Sequence, residues 1–410
     1  MKAHEQRRAV FTGISAIAPN GMGVRAWWDA TLSRRSGLRR PTRFDPRTYP
    51  VQLAGEVQDF SPGRQVDGRL VVQTDLWTQF GLAATAMALE DARVDPRALP
   101  AYELSVVSAS SSGGNEFGQR EIERLWSRGP QFVSVYQSIG WFYAASTGQL
   151  SIKHGMKGSC SSVVSEQAGG LDAVGHARRV LRDGSRVVLT GGTEAPLSPY
   201  ALTCQLSNGR LSRQADPARA YVPFDAGASG YVPGEGGAML IMEEEGEARA
   251  RGAERIYGEL AGYAATFDPR PGSEREPGLY RAASLALADA GLTPGDIDVV
   301  FADAAGDREL DRIEAEVLVR LFGPRGVPVT APKTMTGRLY AGGAALDLVA
   351  ALLTITESVI PPTVGTEELA PGCDLDLVRD EPRSVPVRNA LVLARGFGGF
   401  NSAVVVRRAG

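Results

Sequence analysis

The sequence predicts an α/β protein assembled from two βα-repeat halves, each built on a largely buried sheet. Apolar runs of strand length alternate with stretches of helical periodicity on both sides of residue 250. Between the two series lies a charged stretch from 243 to 255, opening on Glu243-Glu244-Glu245. The expected units are therefore residues 1–245 and 255–410.

In the first half, residues 9–18 read as an opening buried strand closed by Pro19-Asn20-Gly21, with a helix carrying Trp27 and Trp28 behind it. Residues 34–70 are rich in Arg, Pro and Gly without clean periodicity and are expected to run over the surface. A helix over 79–91 and a strand over 104–109 follow, the latter running into Ser-Ser-Ser-Gly-Gly. Residues 116–127 read as an amphipathic helix. The stretch 134–150, with Tyr136, Trp141, Phe142 and Tyr143, reads either as core packing or as an interface. A helix through residue 182 and buried strands over 186–192 and to residue 242 complete the half. In the second half the pattern predicts a strand at 256–262, a helix at 279–290, a strand at 299–302, helices at 311–322 and 346–355, and closing strands around 391–394 and 402–406.

Composition excludes several classes. A chain of 410 residues with 22% charged and 43% hydrophobic residues has the makeup of a folded protein rather than a disordered one. Its net charge of -3 gives no reason to expect nucleic acid as a partner. No apolar run reaches membrane-spanning length, and the charged start lacks a signal-type core, so a cytoplasmic protein without a membrane partner is expected. Cys160, Cys204 and Cys373 match no metal spacing, and the histidines are His4, His154 and His176 alone. No metal site and no cofactor are expected, and a catalytic Ser-His or Cys-His pair is improbable.

The stretch Val163-Val164-Ser165-Glu166-Gln167-Ala168-Gly169-Gly170-Leu171 carries the functional argument. It passes from a short apolar segment into Leu171, Val174, Ala177 and Leu181 at helical spacing, so a tight Gly-flanked turn joins strand to helix. Such an elbow presents one side chain next to unsatisfied helix N–H groups, where enzymes of several folds place a nucleophile. Here that side chain is an amide, which has no usable pKa and is no nucleophile at neutral pH. An ordinary helix entry would read the same over nine residues, so the decision falls to the rest of the chain.

Pro223-Phe224-Asp225, the Gly-rich run 230–237, Pro332-Lys333-Thr334-Met335-Thr336-Gly337 and Gly396-Phe397-Gly398-Gly399-Phe400-Asn401 stand in one order along the chain. In that order and spacing the sequence resembles the thiolase-like β-ketoacyl synthases over nearly its whole length. The resemblance implies a five-layer αβαβα arrangement, and it implies three catalytic positions: Gln167 where an active member has its Cys nucleophile, Asp303 where it has the first His, and Arg338 where it has the second. All three are changed. Without a thiolate no acyl-enzyme forms, and without two imidazoles no neutral donors stabilise the enolate left by decarboxylation. Asp303 would also put negative charge where negative charge must develop.

With Ser165-Glu166-Gln167-Ala168-Gly169-Gly170-Leu171-Asp172 the sequence resembles more narrowly the chain length factors, the ketosynthase β subunits of type II polyketide synthases. The resemblance implies a heterodimer with an active ketosynthase α subunit of this acyltransferase complex, an acyl carrier protein delivering the growing chain, and a tunnel at the subunit interface. The family's blocking positions fall on Asn115, Gly118 and Ile122, whose spacing puts them on one helix face. With a glycine and no aromatic among them, they imply a roomy gate and a long, aromatic-type product; alternatively Gly118 only packs against a partner helix. The resemblance further implies that Phe397 belongs to a vestigial oxyanion loop. On this reading the Gln167 amide bonds that loop, and Asp303 and Arg338 pair across the dead site. Rival readings are a Gln-type malonyl-carrier-protein decarboxylase that primes the synthase, which resembles active members in keeping both histidines, and a chain length factor of a polyene-forming system.

Overall fold

The computed structural model describes residues 7–270 and 273–410, so His4 lies outside the described residues. Its main sheet runs in the order Asp376–Leu377, Pro328–Thr330, Val299–Phe301, Asn389–Gly396, Phe400–Arg407, Gly258–Phe267, Ala9–Ile14, Gly236–Glu244, Val187–Glu194, Leu104–Ala109, Cys160–Val163. Strand Ala9–Ile14 stitches the two series together. It pairs antiparallel with Gly236–Glu244 along most of its length and with Gly258–Phe267 through only Val10 and Phe11. With so narrow a join, the sheet behaves as two faces, and each buries apolar side chains on both sides.

Helices Gly169–Arg182 and Ala341–Glu357 lie between those faces, touching each other and strands of both series. Both are built for burial: of Ala341–Glu357, every residue from Ala341 to Ile355 is buried. Helix Leu76–Ala92 covers the outer side of the first series, and Gly278–Ala290 covers that of the second, with Arg308–Phe322 packed against it. The result is the layered thiolase-like fold. Close approach of the two central helices depends on Gly170, where a Cβ would sit 2.3 Å from the carbonyl oxygen of Ala341.

Most elements fall where the periodicity put them: the strand Leu104–Ala109 and helices Asn115–Arg128, Gly278–Ala290 and Arg308–Phe322 differ from expectation by a few residues at most. Three readings change. The first strand of the second series is Gly258–Phe267, longer than 256–262, because its outer end pairs fully with Phe400–Arg407. Residues 34–70 are not a mere surface excursion: Leu38, Val51 and Leu53 are buried against Tyr221 and Tyr231, one at a time rather than in a periodic face. The aromatic stretch divides: Leu150 at its end packs in the core of the first series, whereas Trp141, Phe142 and Tyr143 do not. It breaks into helices Gln137–Gly140 and Ala145–His154, and leaves Trp141 49%, Phe142 39% and Tyr143 41% exposed.

No helix among the described residues is long and apolar enough to cross a membrane.

Candidate functional site

Strand Cys160–Val163 is the last of the sheet, parallel to Leu104–Ala109 with Val163 opposite Ala109. Beyond it the backbone turns sharply: Glu166 adopts φ +51°, a short 3-10 turn spans Glu166–Ala168, and helix Gly169–Arg182 begins at once. The expected elbow is therefore present, with Gln167 fully buried at its tip. The amide does not reach the Phe397 loop, which corrects the expected contact. Neither Gln167 Oε1 nor Nε2 has a hydrogen-bond partner among the described residues, and the amide lies against Gly343 on the first turn of the facing central helix. A Cβ on Gly343 would come within 2.8 Å of Nε2.

The neighbouring side chain makes that contact instead. Glu166 Oε2 accepts the backbone N–H of Gln167 at 2.7 Å and that of Phe397 at 2.9 Å. Burial raises the Glu166 pKa above the ordinary carboxylate value, while Arg338 and the two N–H donors oppose the rise. Sequence reasoning fixed on the residue at the tip; the positive φ that swings residue 166 back toward the 396–400 turn is a backbone property with no composition signal.

Asp303 and Arg338 meet. Arg338 Nη2 donates to both carboxylate oxygens of Asp303, at 2.9 and 3.2 Å, and to the Arg395 carbonyl at 2.6 Å. Arg395, absent from the sequence reading, is a second partner: its backbone N–H reaches Asp303 Oδ1 at 2.8 Å and its Nε reaches Oδ2 at 3.3 Å. Arg395 also bonds Glu314, and Glu314 accepts the backbone N–H groups of Asp303 and Ala304. Lys333 closes the network, with Nζ 3.0 Å from the Asp303 carbonyl and 2.7 Å from Asp347. Burial alone would raise the Asp303 pKa, but Arg338, Arg395 and Lys333 outweigh it and hold the carboxylate ionised. Asp303 and Arg338 are thus locked into one buried charge network with Arg395, Glu314 and Lys333.

A cavity of about 520 Å³ opens beside this network, walled by Glu166, Arg210, Tyr231, Asp268, Arg338 and Phe397. Neither His154 nor His176 lines it. Burial pushes His154 down to about 4, and His176 is bonded to Ser161.

Asn115, Gly118 and Ile122 lie on helix Asn115–Arg128 as one stripe that passes from partly buried Asn115 through buried Gly118 to Ile122, 49% exposed. Trp141, which the sequence did not connect with this stripe, packs on it: its Cβ would lie 3.5 Å from a Cβ on Gly118. The stripe continues outward along the helix into Trp126, 82% exposed; Trp141, Phe142 and Tyr143 are half-exposed as well. Two buried carboxylates place the helix. Asp75 accepts the Phe117 N–H at 2.7 Å, and Glu194 receives Ser111 N–H, Ser110 Oγ and Ser112 Oγ from the loop that leads in. Burial pushes both carboxyls up to about 7 against those hydrogen bonds.

Comparison with known proteins gives a consistent result. The description "Beta-ketoacyl synthase, N-terminal domain" matches residues 6–248, and "Beta-ketoacyl synthase, C-terminal domain" matches residues 257–367. The chain is 56% identical over 402 residues to the tetracenomycin polyketide synthase ketoacyl synthase beta subunit of Streptomyces glaucescens, covering 98% of both. Among solved structures it is similar to the ishigamide ketosynthase/chain length factor, with a TM-score of 0.91, 28% identity and coverage of 99% and 100%. It is also similar to a chain of a solved complex described as a type II PKS acyl-carrier protein with its ketosynthase bound to the hexaketide, with a TM-score of 0.88, 28% identity and the same coverage.

Proposed function

Because the chain belongs to the β-ketoacyl synthase family, beside the ketosynthase β subunits of polyketide synthases, we propose that it is a chain length factor without condensing activity of its own. It pairs with an active ketosynthase α subunit and walls the tunnel into which the partner's growing polyketide extends. The observation that carries this reading is the charge network: Asp303 and Arg338 hold each other where an active member needs two neutral imidazoles, and Gln167 stands where it needs a thiolate.

The exposed faces support the pairing. Strand Cys160–Val163 ends the sheet with its outer backbone edge unpaired among the described residues, and elsewhere on the same half Trp126, Val135 and Trp141 are exposed. An unpaired sheet edge and exposed aromatics are each costly to leave in water and suit a permanent partner. The partner is the α subunit, and an acyl carrier protein serves the complex through it. Within the tunnel, Asn115, Gly118 and Ile122, with Trp141 behind them, form the stop, and the small volume at Gly118 admits a chain toward the longer end of the aromatic range.

Co-expression with a ketosynthase α subunit, gel filtration and product analysis with malonyl carrier protein test the proposal. A one-to-one complex making a polyketide of defined length is expected, and the isolated chain is expected not to decarboxylate malonyl carrier protein. A self-contained homodimer that releases carbon dioxide from malonyl carrier protein unaided would overturn it.

A further inference from the structure

Asp75 caps two helices with one carboxylate. Its Oδ1 accepts the backbone N–H of Trp77 at 3.3 Å, in the first turn of helix Leu76–Ala92, for which Asp75 is the N-cap. Its Oδ2 accepts the N–H of Phe117 at 2.7 Å, in the first turn of helix Asn115–Arg128. That second helix has no side-chain cap of its own, because the residue before it is Gly114. Two positive helix ends thus converge on a carboxylate that is 2% exposed.

Phe117 passes the constraint on. Its ring lies against Gly140, where a Cβ would come within 2.6 Å of it, and the Gly114 N–H bonds the Trp141 carbonyl at 3.0 Å. Gly118, the next residue along the helix, faces the Trp141 Cβ. Both Gly118 and Trp141 are therefore referred to one buried anchor. Packing does not supply that anchor from behind. Glu116 and Arg120, each two residues and about 200° around the helix from Gly118, line a cavity of about 470 Å³ together with Asp75. The helix has room to recede on that side, where the Asp75 bond restrains it.

We propose that Asp75 is a positioning residue for polyketide length: by fixing the first turn of helix Asn115–Arg128, it fixes how far Gly118 stands into the path of the growing chain. That role rests on the chain length reading above; the double cap itself rests on the two hydrogen bonds. A steric stop rejects one more two-carbon unit only where its wall is held to within about 0.5 Å, which takes a locked supporting contact behind the wall residues.

The perturbation is Asp75→Ser. Serine still caps its own helix, but it offers one oxygen in place of two, so the Phe117 N–H loses its acceptor while the local cap persists. The variant is assembled with the ketosynthase α subunit and supplied with malonyl carrier protein, and mass spectrometry reads the products. The fraction of products longer than wild type by one or more two-carbon units is expected to rise at least tenfold. Hydrogen exchange over residues 115–119 is expected to accelerate at least tenfold as well. Unchanged product lengths overturn the proposal, and so does unchanged exchange. Asp307→Ala, which removes the cap of the remote helix Arg308–Phe322, controls for lost stability. Its products are expected to keep the wild-type length, and equal broadening there overturns the proposal by showing that any lost cap suffices. Should Asp75→Ser not assemble, Gly140→Ala decides: its Cβ displaces the same Phe117 ring with Asp75 intact, so the length distribution must shift, and a uniform wild-type product overturns the proposal. Gly118→Phe separates the two readings. Shortening there with unchanged lengths in Asp75→Ser overturns the role of Asp75 alone, whereas unchanged length in Gly118→Phe overturns the gate and the role of Asp75 with it.

Discussion

Removing Asp303 is expected to cost more than removing Arg338, and the reason lies in which group can shed its charge. The Asp303 carboxylate accepts from Arg338 Nη2, Arg395 Nε and the Arg395 N–H. Asp303→Ala leaves the buried Arg395 guanidinium with Glu314 and strips Arg338 of its hydrogen-bonded carboxylate, with only the Glu166 charge nearby, and a guanidinium does not deprotonate in a protein. Breaking a buried pair from one side costs about 3–5 kcal/mol, and this variant belongs at the upper end, about 4–5 kcal/mol. Arg338→Ala leaves Asp303 with Arg395 and its backbone donor, and the carboxyl can bind a proton as its pKa rises toward the value burial imposes. About 2–3 kcal/mol is expected there. The double variant removes both charges, so its loss should fall short of the sum by at least about 2 kcal/mol. Denaturant unfolding of the four proteins within the complex measures the cycle. Two near-neutral single variants, or strict additivity, would refute the charge-network account of the dead site.

Three further outcomes follow from other parts of the structure. Gly118→Phe places a ring on the stripe beside Trp141 and is expected to shorten the polyketide by at least one two-carbon unit, read by mass spectrometry of the products; an unchanged product length removes Gly118 from the gate. Gln167→Leu replaces an amide that has no partner in the chain with an apolar group of similar size, so stability should hold within about 1 kcal/mol or rise, and a loss of 3 kcal/mol would show that the amide is satisfied in the complex. Glu194 takes up a proton on folding because burial lifts its pKa from 4.5 to about 7; its contribution is therefore best below pH 4.5 and declines as pH rises to about 7. At roughly 1.4 kcal/mol per pH unit across that window, Glu194→Gln should gain up to about 3 kcal/mol on wild type between pH 4.5 and 7, and parallel melting curves would count against it.

Much of this was legible in the sequence because it was written in periodicity. Helix Asn115–Arg128 and strand Leu104–Ala109 follow from patterning, as does the strand, tight turn and helix around Gln167. What the pattern does not encode is direction at a turn and pairing across the chain. The φ of Glu166, and with it the bond to Phe397, depends on the 396–400 turn arriving from 230 residues away. Arg395 reads as an odd charge in a buried strand; only the parallel pairing of Val299–Phe301 with Asn389–Gly396 brings it to Asp303. Trp141 was visible as an aromatic, but its place over Gly118 comes from an irregular segment that no period describes.

The same strand pairing places the Gln167 elbow beside the loop that leads to the helix we propose as the chain-length stop. Strands Leu104–Ala109 and Cys160–Val163 are parallel neighbours, and the first delivers the gate loop while the second delivers the elbow. The Ser110 N–H bonds the Val163 carbonyl at 3.1 Å, tying the two exits together at the carboxyl ends of the strands, where open α/β sheets place their binding clefts. On the proposed reading no nucleophile stands there, so neighbouring side chains are free to make fixed contacts: Asp303 with Arg338 in the second series, and Glu166 across to Phe397. A stop that must reject one more two-carbon unit discriminates by steric volume alone, which is effective only if its wall does not yield. Loss of the catalytic groups and fixity of the gate are then two consequences of one substitution pattern. Loosening the elbow, by Asp303→Ala for example, should broaden the distribution of product lengths even though residue 303 lies on a different element from Gly118; a product that stays uniform in length in that variant would separate the brace from the gate.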